Sequence, residues 1–281
     1  MISPLRLLCL AGLFLLQSCN YTYVGQEAEK VRLKTLFYKN SGVFIGITST
    51  FDYSVGKQIQ QCTFANNPEY LSGADPTGKP VALYTYEANG QLASYDFRYA
   101  RPTSKGRTGE LTVFTNTPAL ITSESYFLEK GGQRVLFKKG SYTLANGLVT
   151  SYSRQLTDKY DFSQLYLSEQ GYPTETSEYT YAGGNLVRVK TKNNEYELTT
   201  DYLYDANPNP LQGIYNPDIT PVRRYSRNNM LTSSSTYIYS NGQNIQGAPL
   251  PASIASPFVY DGRGYPVSES SGFNRFEYEA Y

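Results

Sequence analysis

A short unit recurs along most of this chain and limits what it can fold into: an aromatic residue and a tyrosine two positions apart, followed by a turn. Side chains two positions apart lie on the same face of a β-strand, so each unit places two rings side by side. The Asn-Gly, Asp-Gly and Gly-Gly pairs that follow supply the positive φ angles that tight hairpin turns require. The copies are Tyr84–Gly90, Tyr179–Asn185, Tyr202–Asn207, Tyr237–Gly242, Phe258–Gly262 and Phe276–Tyr278, with a looser copy, Tyr142–Gly147, that lacks the second aromatic residue.

The rest of the sequence is also typical of β-structure. Thr, Val, Ile, Tyr and Phe fill the periodic runs, Gly, Pro, Asn and Asp interrupt them, and no segment has the pattern of an amphipathic helix. Neighbouring strands with two rings each would form an aromatic ladder, in which a cross-strand pair contributes about 0.2–1 kcal/mol. We therefore predict one all-β domain over residues 31–281, an antiparallel meander of hairpins, with loops near 66–80, 208–221 and 241–257.

The N-terminus has the order of a secretory signal peptide. Arg6 provides a positive charge, and Leu7–Leu16 are apolar or Gly, a run too short to cross a bilayer as a helix. Cys19 comes directly after this region, with a leucine three positions before it, and this arrangement resembles the lipobox of bacterial lipoproteins. We predict a lipoprotein signal peptide at 1–18, lipid attachment at Cys19 and a lipidated tether at 19–30. The alternative is an ordinary signal peptide with an incidental cysteine.

Charge and residue usage exclude several classes of function. Removal of the predicted signal peptide leaves 24 basic and 24 acidic side chains, so we expect no nucleic-acid partner. The chain has no histidine, which excludes Ser-His-Asp and Cys-His catalysis and histidine-based zinc sites. Carboxylate chemistry and oxygen-ligated calcium are left open. Cys62 lies in a predicted strand, where we favour a buried structural thiol over a reactive one.

Four carboxylates in or near predicted loops would have to carry any hydrolase activity: Asp205, Asp218, Asp261 and Glu269. Glycoside hydrolysis needs two carboxyl groups about 5–9.5 Å apart, a distance that sequence does not give. Aspartates in turns usually accept backbone hydrogen bonds, and we favour this role for Asp205 and Asp261. Residues 205–209 alternate oxygen-bearing side chains as a calcium loop does, but they lack its glycine and its final glutamate. We predict no catalytic residue, no metal site, no cofactor and no enzymatic activity.

Two resemblances to known proteins add to this interpretation. The Tyr-x-Tyr-Asp phrasing resembles the YD repeats of RHS-type proteins, in which such hairpins coil into a large shell. The ordered set of motifs is similar to a family of bacterial lipoproteins of unknown function with a porin-like fold. That similarity rests on Cys19, the units from Tyr84 onward, Asn209–Ile214, Ser226–Thr232, Tyr260–Pro266 and the final Phe276–Tyr278. It implies a curved sheet or a barrel-like (porin-like) shape. Because Lys, Arg and Glu occupy the variable strand faces, we expect the sheet to face water rather than lipid.

The aromatic ladder is the best candidate for recognition, because exposed tyrosine rings stack on sugars, peptides and other flat apolar groups. The alternative is that these rings belong to the core. The candidate ligand-binding residues are Tyr84, Tyr86, Tyr179, Tyr181, Tyr202, Tyr204, Tyr237 and Tyr239. The cation pairs Lys138-Lys139 and Arg223-Arg224 are expected to be solvated charges at strand ends.

Together these observations predict a non-enzymatic cell-envelope lipoprotein that acts as a scaffold or a binding surface. Its lipid would anchor it to the bacterial outer membrane. The periplasmic face is favoured over the cell surface, because no acidic run follows Cys19. Other expected partners are a glycan or a protein. Two alternatives stay open: a binder or carrier of a small apolar or glycan ligand through exposed Tyr stripes, and a carboxylate-dependent hydrolase.

Overall fold

The computed structural model describes residues 31–39, 46–54, 58–65, 79–159, 174–215, 221–239, 250–254, 257–269 and 274–281. Almost all of the described residues belong to one compact unit, residues 32–279. The predicted signal peptide, Cys19, the tether and Asp218 lie outside the described residues. No helix in the described part is long and apolar enough to cross a membrane.

The described residues form a 17-stranded sheet. The strands are β1 Val31–Lys39, β2 Gly46–Tyr53, β3 Ile59–Ala65, β4 Val81–Tyr86, β5 Leu92–Arg98, β6 Arg107–Asn116, β7 Leu120–Glu129, β8 Arg134–Ala145, β9 Leu148–Leu156, β10 Thr174–Ala182, β11 Asn185–Lys192, β12 Tyr196–Pro208, β13 Asn228–Tyr239, β14 Leu250–Ile254, β15 Phe258–Tyr260, β16 Pro266–Glu269 and β17 Asn274–Ala280. From β1 to β14, and again from β15 to β17, each strand pairs antiparallel with the next along the chain. Strand β1 also pairs with β17. The predicted all-β antiparallel meander is confirmed.

The hairpin turns show why Asn-Gly and Gly-Gly recur in the sequence. In the two-residue turn between β8 and β9, Asn146 and Gly147 have φ values of 52° and 76°. Gly183 and Gly184 join β10 to β11 with φ values of 58° and 82°. Two positive φ angles give such a turn the twist that matches its strands, and glycine adopts them without steric cost.

Side-chain alternation gives the sheet an inner face that carries two hydrophobic clusters. The first cluster gathers buried residues of β1–β6 and β17 with two from the β12–β13 connection, among them Phe51, Cys62, Phe64, Tyr84, Tyr95 and Phe97. The second cluster comprises Val149, Tyr179, Leu186 and Val222, with partly buried tyrosines packed against it. The Cys62 side chain is fully buried, so the burial predicted for it is confirmed.

The outer face carries charges and isolated apolar side chains. Arg188 of β11 binds Asp201 of β12 through two hydrogen bonds, Nε to Oδ1 at 2.6 Å and Nη2 to Oδ2 at 3.1 Å. On β12, Tyr202 and Tyr204 pack against the second cluster, whereas Leu203 between them is 67% exposed. Exposed ion pairs of this kind contribute only about 0–1 kcal/mol each to stability. Burial of apolar side chains on the inner face therefore contributes most of the stabilising free energy.

Two predictions are wrong. The stretch 241–257 was expected to be a loop, but it contains strand β14, Leu250–Ile254. The predicted loop 208–221 has neither helix nor strand in its described residues 209–215. No helix was expected, but a five-residue helix, α1, spans Pro221–Tyr225 at the end of this connection. Proline is suited to the first position of a helix, where its missing N–H is not needed. A helix this short is stabilised by packing, here by buried Val222, and five residues show no periodicity from which it could have been predicted.

Truncation of Leu186 tests the second cluster. Leu186 is fully buried, so Leu186→Ala should lower the free energy of unfolding by about 2–5 kcal/mol through lost burial and a residual cavity. The matched control is Leu203→Ala, which removes the same atoms from the outer face and should change stability by less than about 0.5 kcal/mol. Urea unfolding followed by circular dichroism measures both, and equal losses in the two variants would contradict this assignment of faces.

Candidate functional site

The connection between β12 and β13 folds onto the inner face of the sheet. We call residues 209–215 and 221–227 the inner connection. Leu211 and Ile214 are buried within the first hydrophobic cluster, and Val222 of α1 is buried within the second. The inner connection therefore joins the two clusters and covers the part of the inner face that lies between them.

Asn209 holds the two halves of the inner connection together. Its Nδ2 donates to the carbonyl oxygens of Arg223, at 2.5 Å, and Ser226, at 2.8 Å. Its Oδ1 accepts from the backbone N–H of Leu211 at 3.0 Å. The N–H of Gly213 also donates to the carbonyl of Arg224 at 2.8 Å. These bonds satisfy polar backbone groups that would otherwise be costly to bury.

Ser226 attaches the inner connection to the second cluster. Its fully buried hydroxyl accepts from the N–H of Leu186 at 3.1 Å and donates to the hydroxyl of Tyr204 at 2.8 Å. The Tyr204 hydroxyl in turn donates to the Leu186 carbonyl at 2.5 Å. Tyr204, one of the predicted ligand-binding tyrosines, thus has its hydroxyl engaged within the protein.

The described candidate carboxylates also bind within the protein. Asp205 accepts from the backbone N–H groups of Asn207, at 2.9 Å, and Asn229, at 3.1 Å, and from the hydroxyl of Tyr260. Burial, together with the hydrogen bond to Asp205, raises the pKa of Tyr260 to about 12. Backbone hydrogen bonding by Asp205 is as predicted, although Asp205 lies in an irregular part of β12 rather than in a turn.

The other two carboxylates have separate partners. Asp261 accepts from the backbone N–H groups of Arg263 and Tyr265, both at 2.9 Å, which is the turn role predicted for it. Glu269, whose side chain is 8% exposed, forms an ion pair with Arg223 at 3.3 Å. Among the described residues, no group of three or more His, Cys, Asp or Glu is placed to hold a metal ion.

A cavity of about 260 Å³ lies between the inner connection and the sheet. The sheet side contributes Leu92, Phe114, Asn116, Ile121, Tyr142 and Val149, with Gln91 just before β5. The inner connection contributes Gly213, Tyr215, Arg224 and Tyr225. The lining is therefore apolar and aromatic, with a few polar groups and one cation, which is the usual composition of a small-molecule site.

Tyr215 forms part of the wall of this cavity. Its ring meets those of Tyr95 and Phe114 edge to face, with centroid separations of 5.2 and 5.1 Å. The Arg224 guanidinium lies 4.6 Å from the centroid of the Tyr215 ring, a cation–π arrangement. Burial raises the pKa of Tyr215, and the positive charge of Arg224 partly opposes this. The wall thus combines a fixed aromatic ring with a fixed cation.

None of the eight tyrosines predicted to bind ligand lines the cavity. Six of them pack in the hydrophobic clusters: Tyr84 and Tyr86 in the first, and Tyr179, Tyr181, Tyr202 and Tyr204 in the second. Tyr237 packs against Tyr196 and Tyr239, with centroids 5.5 and 6.3 Å away, and Tyr239 is 37% exposed. These six tyrosines therefore belong to the core, which was the alternative to ligand binding. Ligand binding by any of the eight stays a prediction.

The cation pairs are not the solvated charges that were expected. Lys139 does lie outside, 3.6 Å from Glu124, but Lys138 is partly buried on the inner face. Arg223 binds buried Glu269, and Arg224 lines the cavity. Strand alternation explains the first pair, since adjacent side chains point to opposite faces. The sequence signals for the cavity were slight: Tyr142 belonged to the looser repeat, and Tyr215 and Tyr225 belonged to none.

Comparisons with known proteins show a structural likeness but no matching family. No family model and no curated protein matches this chain. Among solved structures, the chain is similar to a porin-like protein from Bacteroides vulgatus, with 11% identity, a TM-score of 0.36, and coverage of 90% of this chain and 98% of that one. A likeness at this level carries no argument about function.

Tyrosine ionisation should limit stability at high pH. Burial raises the pKa of Tyr152 and Tyr204 to about 12, and raises the pKa values of Tyr84 and Tyr142 well above the usual range. Because the folded protein favours the neutral phenol, this stability is complete below pH of about 10 and is lost as pH rises toward 12. We expect absorbance at 295 nm to rise together with the loss of circular dichroism, whereas in urea the tyrosines should titrate near pH 10. Titration of most tyrosines near pH 10 with the fold intact would contradict this.

Proposed function

We propose that this protein is a non-enzymatic binding protein of the bacterial cell envelope, and that it holds a small, largely apolar ligand between strands β5–β9 and the inner connection. The observation that carries this proposal is the cavity of about 260 Å³ with its aromatic and aliphatic lining. The cavity is partly open to the outside, so a ligand can enter it. A concave, mostly apolar pocket with a few polar groups is the usual form of a small-molecule site, and this supports a binding role over a purely structural one.

The lining favours a compact ligand that contains rings. Phe114, Tyr142 and Tyr215 offer ring faces and edges, which form offset or edge-to-face contacts with another ring. The volume of about 260 Å³ lies just below the usual range for ligand pockets, about 300–1,000 Å³, and suits a molecule of two or three rings. Polar contacts would come from Gln91 and Asn116, and the Asn116 amide is already oriented by hydrogen bonds to Glu87 and the Leu92 carbonyl, both at 2.9 Å.

The envelope location is supported by the leader and by Cys19 rather than by the cavity. A lipid on Cys19 would hold the domain at the outer membrane, with the periplasmic face favoured. Each buried CH₂ of an acyl chain contributes about 0.8 kcal/mol to membrane binding. An anchor with several acyl chains would therefore hold the protein firmly without a membrane-spanning segment.

The lipid anchor is tested by labelling growing cells with an alkyne analogue of palmitate. The wild-type chain should be labelled and Cys19→Ala should not, because the thiol is the proposed site of attachment. Cys62→Ala is the matched control, since it removes a buried thiol and should leave the labelling intact. Equal labelling of the wild type and Cys19→Ala would exclude lipid attachment at Cys19.

Ligand binding is tested with N-phenyl-1-naphthylamine, a neutral aromatic dye whose fluorescence rises in apolar surroundings. We expect saturable binding to the purified protein, and a loss of affinity of about tenfold in Val149→Phe, which places a ring inside the cavity. Leu148→Phe is the control, because Leu148 directly precedes Val149 in β9 and is 44% exposed. Absence of saturable binding, or equal losses in both variants, would overturn the proposal.

A further inference from the structure

The inner face of β8 carries a lysine in an unusual setting. In the register of the sheet, Lys138 lies opposite Ser125 of β7 and Leu156 of β9. Ser125 is 1% exposed and Leu156 is 6% exposed, so Lys138 lies between two buried positions. Tyr142, four residues further along the same strand, lines the cavity. Residues an even number apart share a face of a strand, and four residues span about 13 Å. Lys138 therefore lies on the face that carries the cavity, about 13 Å along β8 from Tyr142.

Lys138 is accompanied by Arg154 of β9. Arg154 lies opposite Gly140, which has no side chain, so the lysine and the arginine are diagonal neighbours across the β8–β9 pair. Arg154 binds Glu175 of β10 through Nη2 at 3.1 Å. Its Nε is buried and has no hydrogen-bond partner among the described residues. One N–H of this guanidinium is therefore directed at no acceptor in the part of the chain that the structure describes.

No carboxylate in the described part of the chain forms an ion pair with Lys138. Burial lowers the pKa of Lys138, Glu110 opposes this, and Arg154 and Arg224 lower it further, so all three charged groups act on the ammonium. Glu110 already accepts a hydrogen bond from the Tyr99 hydroxyl at 2.6 Å. In the described residues, Lys138 has a contact with the Phe137 ring, at 5.8 Å, but no hydrogen bond or ion pair.

Among the described residues, Lys138 and Arg154 are therefore neighbouring cations on the inner face, and the carboxylate of Glu175 pairs with Arg154 and not with Lys138. An uncompensated cation on a buried face is costly, and an anion bound beside it removes that cost. Arg224 belongs to both environments, because it lines the cavity and also acts on the Lys138 ammonium.

We propose that Lys138, Arg154 and Arg224 form an anion-binding site, and that the ligand is an amphipathic anion. Its carboxylate, sulfonate or phosphate group lies at the three cations, and its apolar body occupies the cavity. This inference rests on the proposed function and adds the chemical class of the ligand. It assigns Lys138 a specific role: the ammonium donates charge-assisted hydrogen bonds to the anionic group, which are about twice as strong as neutral ones.

Two dyes with almost the same aromatic body provide the test. 8-Anilinonaphthalene-1-sulfonate carries a sulfonate, whereas N-phenyl-1-naphthylamine is neutral. We expect the wild-type protein to bind the sulfonate about tenfold more tightly than the neutral dye. Lys138→Met should abolish that preference and leave the affinity for the neutral dye unchanged.

The matched control is Lys139→Met, which removes the neighbouring charge on the outer face and should alter neither affinity. Circular dichroism and thermal unfolding establish that each variant is folded, and Lys138→Gln is the second neutral variant if Lys138→Met does not fold. Excess inorganic sulfate should displace the anionic dye and not the neutral one.

The outcomes separate the two proposals. If the neutral dye does not bind, both the proposed function and this inference fail. If the neutral dye binds but the sulfonate has no advantage, or if Lys138→Met and Lys139→Met weaken sulfonate binding equally, the anion site is wrong and the proposed function stands.

Discussion

The contact between Tyr215 and the sheet is the interaction on which the inner face depends. Its ring meets Tyr95 and Phe114 edge to face while Arg224 covers its face. The clusters on the two parts of the sheet share the inner connection, so loss of this contact would separate them. The cavity beside Phe114 and Tyr142 stays unfilled because the Tyr215 ring is rigid and is held in place by its neighbours, so it does not move into that space.

The abundance of tyrosine over phenylalanine has a physical explanation in the same face. A buried tyrosine contributes a ring to the core and needs a partner for its hydroxyl. That partner is repeatedly a strand carbonyl: Tyr181 donates to Val149 at 2.9 Å, and Tyr204 donates to Leu186 at 2.5 Å. Each such bond ties a side chain of one strand to the backbone of another. Tyr84 differs, since its buried hydroxyl has no partner in the described residues.

The adjacent lysines of β8, Lys138 and Lys139, lie on opposite faces of the sheet and have different surroundings. Lys139 forms an ion pair with Glu124 on the outer face, where water and salt screen the charge and its contribution is small. Lys138 is partly buried between Ser125 and Leu156, where each charge acts more strongly on its neighbours than it does in water. Binding chemistry is therefore expected on the inner face. The tyrosine repeats that first suggested recognition serve mainly to build that face.

Local pattern determined much of the fold. The period of two, the positive φ angles of turns such as Asn146-Gly147 and the burial of Cys62 all follow from a few adjacent residues, so the sequence alone predicts the meander. The cavity was not predictable, because its walls come from residues up to about 130 positions apart and include a segment without any repeat. The inward direction of the Lys138 side chain was not predictable either. Between Leu136 and Lys138 the register shifts at Phe137, and a shift of one residue exchanges the faces of every side chain that follows, so only strand pairing in the tertiary structure decides which lysine is buried.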